Sequence, residues 1–392
     1  MSYRWVVLLV GALAQGTNAA VFLGLPSISP HLREHFGLSL PQVGLLLGAA
    51  NLGTMLALVP WGAVADRRGE RLVMAVGGFG AAACLALVAP SGAVLAGVAL
   101  FGAGLFGASV NAASGRAVLT WFPRERRGLA MGVRQTAVPL GAAVTAALLP
   151  AVAVGFGVPV AFLALAGATA LVAVAVAVWV REPPGVVRVA RGGQGLVLAD
   201  RRLLRLSLAS GLLVVPQFTA GALLVELLHG HLGIAAATAA ALFAVAQVLG
   251  GAGRLAAGIW SDRAGGRLGP LRTIGGAVAV GFAGCALLLD SAPRWLVCAA
   301  LLPTAALAMS WNGLAVTAAG ELAPSGRGGT AMGMQNSANY LTATVTPALA
   351  GWVAVSFGWT WALALAGLCA AAAGVVLARG GLTEGPATRP AG

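Results

Sequence analysis

The chain has 392 residues, of which 59% are hydrophobic and only 9% charged, and its formal charge of +13 rests on 24 arginines with no lysine. An ordinary soluble domain carries about 25% charged residues, so the composition excludes one and indicates a membrane protein. The positive charge invites a nucleic-acid reading, but the arginines are spread over six short segments without interleaved aromatics, and that partner is excluded as well.

A hydrocarbon core of about 30 Å is crossed by roughly 20 helical residues. Apolar runs of that size occur at about 5–26, 41–65, 72–89, 92–121, 128–151, 157–180, 204–228, 235–260, 273–290, 294–320, 329–356 and 358–379. These twelve runs are too long for barrel strands and do not alternate, so the expected fold class is an all-α membrane protein of twelve transmembrane helices. Arg4, the run behind it, and Ala12 and Ala14 have features of a secretory signal; with eleven further runs following, the segment is read as the first span. Cys84, Cys285, Cys298 and Cys369 all fall inside apolar runs without the spacing of a metal site. They are read as packing residues, and neither a metal nor a cofactor is expected.

Nineteen of the arginines lie in the tails or in alternate loops, near 67–71, 124–127, 181–205, 263–272 and 327, whereas the opposite loops hold Arg33 and Arg294. By the positive-inside rule both termini and the 181–203 loop face the cytoplasm. The expected location is the plasma (inner) membrane.

The two halves repeat. A shift of 201 residues lays 130–135, "AMGVRQ", over 331–336, "AMGMQN", and pairs Ser109 with Ser310, Asn111 with Asn312, Pro123 with Pro324, Arg126 with Arg327 and Cys84 with Cys285. A shift of 196 pairs Gly62, Asp66, Arg67 and Gly69 with Gly258, Asp262, Arg263 and Gly265. The organisation expected is an N-terminal six-helix bundle over 1–180, a linker loop over 181–203 containing Pro183, Pro184, Gly185, Gly192 and Gly193, and a C-terminal six-helix bundle with a short tail over 204–392. Two like halves facing one another are the architecture of alternating access, with the substrate site near the midplane. The glycine pairs Gly128 with Gly132 and Gly329 with Gly333 occupy matched places and are read as close helix packing.

Gly62, Asp66, Arg67, Gly69 and Arg71, between the second and third spans, resemble the signature Gly-x-x-x-Asp-Arg-x-Gly-Arg-Arg of the major facilitator superfamily of secondary transporters, with Glu70 standing where a base is usual. With the twelve spans, the resemblance covers nearly the whole chain. It implies a conformational latch made of Gly62, Asp66, Arg67, Gly69 and Arg71, and of Gly258, Asp262, Arg263 and Gly265 in the repeat. An aspartate at a helix end can accept from helix N-terminal amides or pair with an arginine of a neighbouring span.

Three arginines fall within spans, where each carries a cost of about 2.5–3.5 kcal/mol unless partnered or wet. Arg254 precedes Asp262 by eight residues, about 12 Å along a helix. The stretch 253–263, "GRLAAGIWSDR", resembles the eighth span of monocarboxylate and oxalate carriers, which implies that Arg254 binds a substrate carboxylate. Guanidinium suits that task because it stays charged and offers a planar fork of donors; the alternative is a latch role beside Asp262. Arg134, whose repeat mate is Gln335, follows 121–132, "WFPRERRGLAMG", which resembles the motif leading into the fifth span of the same carriers; it assists the substrate or pairs with a neighbouring span. Arg116 lies five positions after Asn111, about 140° around a helix, so the two face different ways. Asn111, with its mate Asn312, is assigned to the cavity, and Arg116 to the latch as a partner of Asp66. Gln15 with Asn18, and Gln335 with Asn339, share helix faces and either contact substrate or hold helices together at around 0.6 kcal/mol each. Glu226, followed by His229 and His231, is the candidate proton carrier or else an acid at the outer mouth.

The function expected is secondary active transport of a small organic anion, a monocarboxylate, by rocker-switch alternating access in a monomer, with a coupling proton or an exchanged anion. Efflux of a drug-like or other neutral or hydrophobic compound is the alternative: 137–143, "AVPLGAA", only faintly echoes the exporters' glycine-proline motif. Sugar transport ranks third. Nitrate carriers pair two arginines in the second and eighth spans, whereas the mate of Arg254 is Leu58; cyanate remains open. The proton-coupled monocarboxylate carriers place an aspartate one turn before the eighth-span arginine, where this chain has Gly250. An enzyme would need a nucleophile, metal ligands or an acid pair within reach of one another, and no such set is legible; a ligand sensor of the same fold would bind without net flux.

Overall fold

The computed structural model describes residues 3–183 and 194–379. Pro184, Gly185, Gly192 and Gly193 of the expected linker, and the tail from 380, lie outside the described residues. Among the described residues every regular element is helical: α1 (Tyr3–Ala19), α2 (Ser29–Phe36), α3 (Leu40–Arg68), α4 (Glu70–Val88), α5 (Ala93–Trp121), α6 (Arg124–Phe156), α7 (Val158–Trp179), α8 (Gln194–Leu198), α9 (Arg201–Glu226), α10 (Ala236–Arg263), α11 (Leu268–Leu288), α12 (Arg294–Ala308), α13 (Asn312–Leu322), α14 (Gly328–Phe357) and α15 (Trp359–Ala378). Among the described residues twelve helical segments are long and apolar enough to cross a membrane. Large apolar side chains such as Val94, Val280, Leu287 and Val355 stay exposed on helix surfaces, as lipid-facing positions require.

Two spans differ from the sequence expectation. The first does not stop near residue 26 but continues to Phe36 through a π-helical turn (Ala20–Gly24) and a 3-10 turn (Leu25–Ile28). Pro26 removes a backbone donor there, and Gly24 lies so close to Thr145 that a Cβ would overlap that side chain. The rewound segment ends at Gly37, whose φ of 65° lets Leu38 N–H reach back to the Arg33 carbonyl. The tenth span, expected as one helix, breaks at Met309–Trp311 between α12 and α13. At the break the Met309 carbonyl accepts from Arg254 Nε at 2.8 Å, so a guanidinium occupies an acceptor that helical continuation would use. In the linker, α8 supplies one short helical turn, and Asp200 caps α9 by accepting from the Arg202 amide at 2.8 Å. Partial burial opposes ionisation of Asp200, but the hydrogen bonds from Arg202 outweigh it and hold the carboxyl below the usual carboxylate range.

The chain divides into two compact units. The first comprises Met1–Pro123, Val133–Leu198 and Ala323–Ser337; the second comprises Arg124–Gly132, Ala199–Leu322 and Ala338–Gly392. In the first, α5 packs against α3 and α4, and α4 against α7. Backbones touch there: a Cβ on Gly104 would overlap the Ala50 carbonyl, and one on Gly53 the Phe101 carbonyl. Buried Leu25, Leu85, Leu100 and Phe162 fill one end of that core, and Val7, Val73, Met74 and Val176 the other. In the second unit α15 packs against α9 and α11, and α12 against α10 and α11.

Each unit also contains a very close helix crossing at matched places of the repeat. In the first unit the start of α14 lies on α3: a Cβ on Gly329 would meet the Gly62 carbonyl at 2.7 Å, and one on Gly333 the Leu58 carbonyl at 2.5 Å. In the second unit the start of α6 lies on α10 in the same way. Gly128 faces the Gly258 carbonyl, and a Cβ on Gly132 would meet the Arg254 carbonyl at 2.7 Å. Leu58 and Gly62 are the repeat mates of Arg254 and Gly258, so the crossing is one motif built twice. Because the atoms met are backbone, no rotamer change can relieve the overlap. Gly132→Ala and Gly333→Ala are expected to lose about 1–3 kcal/mol in thermal or denaturant unfolding of the purified protein. Gly284→Ala, a helical position with nothing within 4 Å of the added methyl, is expected to be neutral or stabilising by up to about 1 kcal/mol.

Candidate functional site

Asp66, at the last turn of α3, is buried and accepts from three donors at the start of α14. These are Gly329 N–H at 2.8 Å, Thr330 N–H at 2.9 Å and the Thr330 hydroxyl at 2.7 Å. A helix N-terminus presents unpaired amides and a partial positive charge, so a carboxylate suits it. Arg116 of α5 lies 3.3 Å from Asp66 through Nε and 2.5 Å from Glu70 through Nη1. Asn111, five residues earlier, points elsewhere and accepts from Gln15 Nε2 at 2.5 Å. Gly69 turns the chain between α3 and α4 with a φ of 86°, a conformation that glycine adopts without strain.

The second unit repeats the arrangement with different counter-charges. Asp262 accepts from Gly128 N–H at 2.9 Å and Leu129 N–H at 2.8 Å, near the start of α6. Its cation is Arg267, which is buried and lies 2.6 Å from Asp262; Arg267 also donates to the Arg124 carbonyl and lies 3.5 Å from Glu321. Glu321 lies 3.7 Å from Arg124 and 3.4 Å from Arg127. In repeat register the charges have moved. Arg116 corresponds to Thr317, Thr120 to Glu321 and Glu70 to Gly266, while exposed Arg71 corresponds to buried Arg267. Other basic residues of the signature are not brought to the aspartates: Arg71 and Arg263 are exposed, and the buried Nε of Arg67 has no hydrogen-bond partner. Gly265 sits in an exposed turn with a φ of 68°.

Arg134 is almost fully buried in the first unit. Its Nε donates to Ser114 Oγ at 2.8 Å, its Nη1 to Gln135 Oε1 at 3.0 Å, and its Nη2 to the Asn111 carbonyl at 2.8 Å and to Gln15 Oε1 at 3.2 Å. Gln15 and Asn111 thus join Arg134, as neutral oxygens orienting a guanidinium. Gln335, its repeat mate, is buried in the same unit with neither side-chain heteroatom hydrogen-bonded. Asn18 is directed to Gly107 and lines, with Thr17 and Thr169, a cavity of about 20 Å³ between α1, α4, α5 and α7, room for about one water.

In the second unit Arg254 is buried on α10 and held to Met309 at the break. Two residues on from that carbonyl, Trp311 is fully buried with an unpartnered indole N–H, and Asn312 Oδ1 is likewise unpartnered at the start of α13. Asn339 on α14 leaves its Oδ1 without a partner. Gly250 sits against Met309, where a Cβ would approach the Met309 Cβ to 2.9 Å; an acid at that position has no room. Glu226 is exposed at the end of α9 with its carboxylate against Gly230, while His229 bonds the Ile234 carbonyl and His231 approaches Asp290.

Arg267, Glu321, Thr330, Ser114 and Thr120 were not among the sequence candidates. Two could have been. Arg267 is the mate of Arg71, and Glu321 is an acid beside an arginine-rich loop, where charge sorting has no use for one.

The sequence profile of the Major Facilitator Superfamily matches residues 8–343. The chain belongs to that superfamily. A protein of Mycobacterium tuberculosis (strain H37Rv), described as the uncharacterized MFS-type transporter Rv2994, is 35% identical over 372 residues, 93% of this chain and 82% of the relative. Among solved structures, the proton:xylose symporter XylE bound to 6-bromo-6-deoxy-D-glucose superposes with a TM-score of 0.75 at 18% identity, over 95% of each chain. The human organic anion transporter MFSD10 gives 0.77 at 18% identity over 95% of this chain and 99% of its own. At these identities the structural likeness establishes the fold. This superfamily member is an integral membrane secondary transporter, and its two carboxylate-on-amide contacts occupy the signature positions.

Asp66→Asn should weaken only the first contact, since a hydrogen bond to a charged group contributes about 1.5–3 kcal/mol. Hydrogen–deuterium exchange of peptides covering Gly329 and Thr330 is expected to rise at least about tenfold while that of Gly128 and Leu129 stays unchanged, and Asp262→Asn should give the mirror result.

Proposed function

We propose that this transporter carries a small organic anion, a monocarboxylate, by alternating access, and that Arg254 is the residue that binds the carboxylate. The observation supporting this is the setting of Arg254: a guanidinium buried well inside a span, with its Nε fixed on a backbone carbonyl at a helix break. Anchoring of that kind orients the planar donor fork that matches two carboxylate oxygens. Arg134, oriented by Gln15, Asn111, Ser114 and Gln135, is the assisting cation in the other unit. Asn18, Asn111, Asn312, Gln335 and Asn339 are the polar positions proposed to complete substrate recognition. Asn312, Gln335 and Asn339 fit such a role because each leaves buried polar atoms unsatisfied, and such atoms are costly unless a ligand or water meets them.

Asp66 and Asp262 are proposed as the two conformational latches, and the arginine-rich loops and both termini are placed on the cytoplasmic side of the plasma membrane by the positive-inside rule. The chain is proposed to work as a monomer.

A thermal-shift panel of lactate, pyruvate, oxalate, nitrate, cyanate, glucose and a lipophilic cation tests the reading. A ligand at a hundred times its Kd stabilises the native state by about 2.7 kcal/mol. The expected result is stabilisation by a carboxylate that is lost in both Arg254→Ala and Arg254→Lys, with loss of counterflow of that carboxylate in proteoliposomes. Stabilisation by the lipophilic cation alone, or an unchanged response of the variants, would overturn it in favour of efflux.

A further inference from the structure

Glu70 stands where the superfamily signature has a base, and the structure gives that departure a setting. Its side chain is 1% exposed at the first residue of α4. The Arg116 guanidinium contacts both Glu70 and Asp66, so two buried carboxylates share it. Asp66 has further donors on both oxygens, from Gly329 and Thr330. Glu70 receives Arg116 and a 3.3 Å contact from the Thr120 hydroxyl on one oxygen, while its buried Oε2 has no hydrogen-bond partner.

The surroundings add negative charge. On α3, Asp66 faces the cluster, and neighbouring Arg67 makes no hydrogen bond through its buried Nε. On α5 the charged group is Arg116. The helix α7 carries no titratable side chain, but beyond its end the Glu182 carboxylate lies against Gly69 and acts electrostatically on Glu70. Within α4 itself, Glu70 faces its own amide, and Arg71 is exposed. A buried group with two carboxylates on one guanidinium carries excess negative charge, which is expensive away from water.

We propose that Glu70 is a proton-binding site linked to the latch, taking up one proton from water when Asp66 docks on the start of α14 and releasing it when that contact opens. The proton resides on Oε2 of Glu70 because the oxygens of Asp66 are already accepting, whereas Oε2 is vacant and, once protonated, becomes a donor. Opening the Asp66 contact admits water to the cluster, where both carboxylates ionise freely. Latching and proton uptake are thus reciprocally linked, and low pH favours the latched state. Gly250, closed against Met309, leaves no room for an acid at that position. The identity of the carried solute does not enter this inference.

The test uses the full chain in lipid nanodiscs without substrate, with its four cysteines replaced and spin labels at Arg68→Cys and Ser325→Cys, both exposed positions of the first unit. The distance distribution between them is followed from pH 5 to pH 9. The expected result is a short-distance population that grows as pH falls, changing its ratio by up to about tenfold per pH unit, the slope of one linked proton. In Glu70→Gln the short distance should dominate at every pH, and in Glu70→Asp the titration should persist. A flat wild-type profile, or a Glu70→Gln profile that titrates like wild type, would overturn the proposal. Should Glu70→Gln not fold, infrared titration decides: a protonated-carboxyl band that shifts between wild type and Glu70→Asp supports the site, and an identical band sinks it. None of these readouts involves a carboxylate substrate, so failure here leaves the Arg254 reading standing, and failure there leaves this one.

Discussion

A carboxylate set on the amides at the start of a helix, beside a crossing too close for any Cβ, is the interaction on which the functional architecture turns. The two parts depend on each other. Without Gly62, Gly329 and Gly333 the backbones of α3 and α14 could not approach, and Asp66 would not reach the Gly329 and Thr330 amides. Without the acid, the close crossing would carry unmet donors in a region poor in water. The same dependence holds for Gly128, Gly132, Gly258 and Asp262 in the second unit. The proposed latch role rests on this contact being made in one state and broken in another.

The repeat kept the geometry of this contact and reassigned its charges. Asp66 draws on Arg116 from α5 and shares it with Glu70, whereas Asp262 draws on Arg267 from the turn ahead of α11, with Glu321 as the second acid. Both clusters remain buried and ion-paired, yet they are neutralised by different helices. One cluster holds two acids on a single guanidinium; the other gathers Arg124, Arg127 and Arg267 around its acids. Equivalent positions in a duplicated fold therefore differ in electrostatic character.

Sequence reasoning reached the helical class, the twelve spans, the repeat and the pairing of Arg116 with Asp66, because each rests on a signal with a fixed period or spacing. The angular separation of Asn111 and Arg116 is carried by helix geometry alone, and the side chains part as that geometry requires. Three kinds of feature were out of reach. The break at Met309–Trp311 involves Arg254, more than fifty residues away, which donates to the carbonyl there. The first span continues past Pro26 in a segment where Thr145 of α6 packs against Gly24. The burial of Arg267, whose repeat mate Arg71 is exposed, comes from contacts with Asp262 and the Arg124 carbonyl that its place in the loop does not announce. Arg134 was recognised as a buried cation, but its ring of Ser114, Gln15, Gln135 and the Asn111 carbonyl comes from three helices and has no signature in the order of residues.

The break in the tenth span has a mechanical consequence. Its repeat counterpart α5 is a single rod of 29 residues, while α12 and α13 are two segments meeting at Met309–Trp311. A bilayer that does not match the length of a span is met by tilting or by kinking. The rod can only tilt, whereas the jointed span can also bend at Met309, the residue that holds Arg254. Hydrophobic mismatch therefore acts on these two matched spans by different modes, and in the jointed one it acts at the carbonyl that Arg254 holds.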